Sequence, residues 1–216
     1  MAAPWRMSSL TRMRFSWEDS RRAFKDAADW FVGMTTLVGD SWDRPGLGEW
    51  DIRALVGHTS RSLLTVETYL ARPAAAVAIS SAADYYRATK AAAADPAVAD
   101  RGRQAGAALG ADPAVAVAEI ATRVLLLLDG RDGTELVTTI AGGMRLAEYL
   151  PTRTFELTVH TADLATALEA PPELPETAAS QALDLVTNLA VGDGLAGPLL
   201  LAATGRRGLP SGFSVL

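Results

Sequence analysis

Along most of this chain apolar residues recur at intervals of three and four, the spacing that gathers them on one face of an α-helix. Phe24, Ala27, Ala28, Phe31, Met34, Leu37 and Val38 follow that rule. Ahead of them Ser16 reads as an N-cap, with Glu18 and Asp19 in the first turn. Pro45, Gly46 and Gly48 mark a loop. A second helix is predicted from about Asp51 to Leu70, with the stripe Ile52, Leu55, Val56, Leu63, Val66 and Leu70. Residues 74–111 are rich in alanine and interrupted at Asp95-Pro96 and at "RGRQAG", which predicts one or two short helices and a loose connection. Asp112, Pro113 and Gly130 bracket a third long helix. "TELVTTIAGG" is the one extended stretch, and its Gly142-Gly143 pair predicts a turn. A fourth long helix follows, started or kinked by Pro151 and stopped by "PPELP". Another runs from about Glu176 to Ala190, before a Gly-rich tail.

This pattern is all-α. It predicts a four-helix bundle over residues 16–170, a flexible arm over 1–15 and a short C-terminal helical extension and tail over 171–216. Composition adds exclusions. A net charge of -5 argues against nucleic acid as a partner, because phosphate contacts need clustered Lys and Arg. No apolar run has the length of a membrane span and the N-terminus lacks a signal-like apolar region, so a cytoplasmic location is expected. The chain has no cysteine, which removes thiolate metal ligands and any protein-borne thiol nucleophile.

Chemistry concentrates on the two histidines. Glu156 and His160 are four residues apart, so they project from one helix face about 40° apart. Leu157, Leu164 and Leu168 define the neighbouring apolar centre, which puts this polar pair at the border of the core. His58 lies on the flank of the second helix's stripe, in line with Ser62 and Tyr69. Two adjacent helices can therefore aim His58, Glu156 and His160 at one point. Two imidazoles and a carboxylate form a three-ligand metal site with open positions. The alternatives are a core histidine satisfied by a carbonyl and a surface Glu–His pair. Asp163 is placed to orient an imidazole or to serve as an outward cap. Arg153 reads as a partner of Glu156 at the i,i+3 spacing, with a substrate carboxylate as its other role. Trp50 reads as packing the loop over the bundle end or lining a pocket.

The blocks "PGLGEWDIRALVGHT" and "RTFELTVHTADL" resemble the metal-binding domain of mycothiol-dependent maleylpyruvate isomerases, within the DinB/YfiT-like superfamily of four-helix-bundle metalloproteins. The resemblance covers most of residues 17–170. It implies that His58, Glu156 and His160 bind a divalent metal, usually zinc, with mycothiol or a related thiol as cosubstrate. In the isomerase a separate C-terminal domain contributes to the active site, whereas here only a short extension follows the bundle. The function implied is a mycothiol-dependent transferase or isomerase acting on a small electrophile, with a homodimer as the oligomeric option. Rival readings of the same ligands are a zinc-dependent amide or ester hydrolase, an Fe(II) oxygenase, and a non-catalytic module stabilised by metal.

Overall fold

Ser16 opens the first helix with a reciprocal cap: Asp19 N–H donates to Ser16 Oγ and Ser16 N–H donates to the Asp19 carboxylate. The structure is a computed structural model and describes residues 15–216 except 94 and 96. All of the predicted arm but Phe15 lies outside the described residues. Four long helices form the bundle: α1 (Trp17–Thr36), α2 (Ile52–Leu70), α5 (Pro113–Leu128) and α6 (Leu146–Ala167). Each of α1 and α2 packs against both α5 and α6, so the helices close a four-membered ring. Its centre holds Phe24, Phe31, Leu55, Leu63, Val117, Tyr149, Leu157 and Leu164. Leu37 does not join them. It lies beyond the last turn of α1 and is 62% exposed.

Caps set the other boundaries. Asp51 accepts from Ala54 N–H at 2.7 Å and Asp112 from Val115 N–H at 3.2 Å. Pro151 neither starts nor ends α6 but lies inside it. Buried threonines are accommodated in the same helix by donating to the preceding turn: Thr154 to Leu150 O and Thr158 to Thr154 O.

The links are more ordered than the sequence pattern suggests. The Pro-Gly-Trp loop is a small hairpin, β1 (Pro45–Leu47) with β2 (Trp50–Asp51), and it runs straight into α2. Residues 74–111 carry α3 (Ala82–Ala93) and α4 (Ala97–Ala108), and "RGRQAG" lies within α4 rather than breaking it. Packing explains the difference. Gly57 of α2 and Gly106 of α4 approach so closely that a Cβ on Gly106 would meet the Arg53 carbonyl oxygen at 2.6 Å. The extended stretch is also a hairpin, β3 (Leu136–Thr139) with β4 (Gly142–Arg145). Its turn is Ile140-Ala141, and the two glycines belong to β4.

After the bundle, α7 (Glu176–Gly192) packs on α6 and α1, and α8 (Ala196–Ala203) sits on α7. Val215 then joins a second apolar cluster with Ala83, Phe155, Leu185 and Leu189. Among the described residues, no helix is long and apolar enough to cross a membrane.

Candidate metal centre

Neighbouring helices α2 and α6 supply three side chains that meet at the wall of a cavity of about 820 Å³. One donor atom each from His58, Glu156 and His160 lies within 4.8 Å of the others. The two imidazoles meet edge to face with ring centroids 4.8 Å apart. Glu156 Oε2 is 3.3 Å from His160 Nε2.

Each of the three is oriented from behind. His160 Nδ1 is 3.0 Å from Asp163 Oδ2, one turn further along α6. The Tyr86 hydroxyl donates to Glu156 Oε1 at 2.7 Å, with the Thr152 carbonyl a second acceptor at 3.2 Å. Trp50 packs its ring on His58, centroids 4.5 Å apart, and donates from Nε1 to Ala99 O of α4 at 3.0 Å. The hairpin, α2 and α4 thus fix one face of His58 together.

Arg153 departs from the expected pairing with Glu156: none of its nitrogens comes within 4.0 Å of a carboxylate among the described residues. Instead its guanidinium lies over the rings of Tyr149 and Tyr85, and Nε donates to Thr152 Oγ1 at 2.9 Å. Burial of the whole turn causes this, because the helix turns Arg153 toward the tyrosines while His160 and Tyr86 occupy the Glu156 carboxylate.

Electrostatics divide the three side chains. Burial and the neighbouring His160 cation push His58 down to about 4, so it is neutral. Burial also works against the other two charges, but their partners prevail. Hydrogen bonds to Asp163 and Glu156 raise His160 to about 9, while His160, Arg153 and Tyr86 hold Glu156 at about 2. Without metal, then, the protonated His160 ring is held between two carboxylates beside a neutral imidazole. His58 Nδ1 is buried with no hydrogen-bond partner. An anionic oxygen, an imidazole flanked by acids and an uncommitted imidazole together suit a divalent cation.

Tyr86, Tyr85, Arg61 and Lys90 also line the cavity, and sequence reasoning did not single them out. The adjacent pair Tyr85-Tyr86 was the available signal. All four tyrosines of the chain gather here: Tyr69 and Tyr85 each contact Tyr149, and Tyr86 contacts Tyr85.

The family model described as "Mycothiol maleylpyruvate isomerase N-terminal domain" matches residues 17–165, well over half of the chain. The chain belongs to this family. The matched span runs from the first residue of α1 to near the end of α6, so it contains the four bundle helices and all three converging side chains. No curated protein and no solved structure matches.

Proposed function

We propose that this member of the family holds Zn²⁺ on His58, Glu156 and His160 and activates mycothiol, or a related small thiol, for attack on a small electrophile in a transfer or isomerisation. The observation that carries the reading is the convergence of two imidazoles and a carboxylate on facing helices at the wall of a large cavity. Bound there, a divalent metal supplies the positive charge that turns a thiol into the reactive thiolate.

The chain's own residues do the rest. Asp163 holds the His160 ring so that Nε2 faces Glu156. Tyr86 occupies Glu156 Oε1 and leaves Oε2 directed toward His160. Trp50 shields one face of His58 from water. Three protein ligands leave further positions for a substrate atom, and the cavity offers the space for it. With no cysteine in the chain, the thiol is a cosubstrate and not a side chain.

Elemental analysis of the purified protein, followed by calorimetric titration with mycothiol, tests this. The expected result is about one zinc per chain and saturable thiol binding by the metal-loaded protein, both lost in His58→Ala. Bound iron, or zinc-loaded protein that takes up no mycothiol, would overturn the reading.

A further inference from the structure

Of the 16 residues of α5, only Glu119, Thr122 and Arg123 are polar. A helix that is apolar all round is ordinarily covered on every side. As one side of the four-helix ring, however, α5 has α1 and α2 as its substantial neighbours among the described elements. Its inward face is Val117, Ala121, Val124 and Leu128, all within the core. The opposite face carries Val115, Ala118, Thr122 and Leu126, spaced as one helix stripe. Val115 is 51% exposed and Leu126 is 65% exposed. The outward face of α1 differs, because Glu18, Arg22, Lys25 and Asp29 keep it charged.

The order of side chains along this stripe is close to palindromic. Val115 and Leu126 stand at its ends, with the smaller Ala118 and Thr122 between them. A second α5 turned end for end therefore lays its Leu126 against Val115 and its Val115 against Leu126. The small residues let the two helices approach at their crossing. Charge selects the same direction. Glu119 and Arg123 lie one turn apart on the flank toward α2, where Arg123 pairs with Glu67 at 2.8 Å. Glu119 has no ion-pair partner among the described residues. In the antiparallel arrangement Glu119 of each copy comes beside Arg123 of the other, and the pairing occurs twice by symmetry. A parallel arrangement would set like charges against each other, which is costly.

We propose that the outward face of α5 is the contact between two copies of this chain, packed as antiparallel helices about a two-fold axis near the helix midpoint. The self-complementary order of size and charge is what favours a second copy over an unrelated partner. At about 1.5 Å per residue the face is roughly 24 Å long, at the small end of stable interfaces, and dissociation in the micromolar range is expected. None of the residues lining the large cavity belongs to α5, so the contact does not depend on the metal chemistry.

Sedimentation velocity of the full-length chain from about 1 to about 200 µM spans the expected dissociation constant and tests this. The sedimenting mass should rise from that of one chain to that of two. Leu126→Glu should weaken self-association about tenfold or more, because each copy then sets a carboxylate against an apolar side chain. Its far-UV circular dichroism and Tm should match the wild type, since Leu126 is exposed in the single chain. Glu119→Arg should weaken the dimer as well, more at low salt than at high salt. The double variant Glu119→Arg/Arg123→Glu should recover most of that loss, which a merely structural role of either residue would not give. A single-chain mass throughout the range, or a dimer that Leu126→Glu leaves unchanged, would overturn the contact. A double variant no tighter than Glu119→Arg alone would overturn the antiparallel pairing.

Discussion

His160 sits between two acids, with Asp163 at Nδ1 and Glu156 at Nε2. That arrangement raises its proton affinity to about 9 and sets how the centre responds to pH. A metal ligand must lose the proton on its donor nitrogen, so a metal bound as proposed would compete with the proton for Nε2. Below about pH 9 the proton is present and must leave, and affinity should rise about tenfold per pH unit up to that value and then level. At pH 7.5 about one proton per metal should be released. Calorimetry of zinc binding in buffers of different ionisation enthalpy measures that release directly. Asp163→Asn should reduce it, because the carboxylate hydrogen bond is the largest of the contributions that raise His160. An unchanged release in that variant would mean that Asp163 does not control the ring.

At the level of elements, the seat of α4 on α2 decides where Trp50 lies. Gly106 and Gly57 let the two backbones meet, and a Cβ on Gly102 would strike the Trp50 indole at 2.7 Å. Gly106→Val should therefore destabilise the fold by about 1–3 kcal/mol through overpacking. It should also release Trp50 from Ala99 O, read together as a lower urea midpoint and a red-shifted tryptophan emission. This is also where reading the sequence reached its limit. The four bundle helices were legible because their evidence is local: caps at Ser16, Asp51 and Asp112, and apolar residues at helical spacing. "RGRQAG" looked like a break because two glycines lower helix propensity, and only the partner helix shows that they are needed. The Ile140-Ala141 turn was hidden for a similar reason, since Gly142 and Gly143 suit the close approach of residues 76–78 and not the turn itself. For the centre, Glu156 and His160 share a helix face by arithmetic alone, whereas Tyr86 reaches Glu156 from α3, which no spacing along the chain could reveal.

For the molecule as a whole, the gathering of Arg61, Lys90, Arg101 and Arg153 at the cavity wall is invisible in a composition that is net acidic. Charge totals carry no information about which charges face one another. A metal bound as proposed would also add to stability, since the converging groups come from both α2 and α6. At a free zinc concentration 100 times Kd, binding to the folded state alone adds about 2.7 kcal/mol. For a domain of this size that raises Tm by roughly 5–10 °C. Scanning calorimetry with and without chelator should show the shift, and Glu156→Gln should abolish most of it. The distance along the chain between His58 and Glu156, nearly a hundred residues, has a consequence in time. At about 5–20 residues per second, a ribosome needs roughly 5–20 s to pass from one to the other. Throughout that interval His58 has been made and the Glu156 carboxylate has not. A metal bound as proposed could meet all three groups only after α6 has emerged.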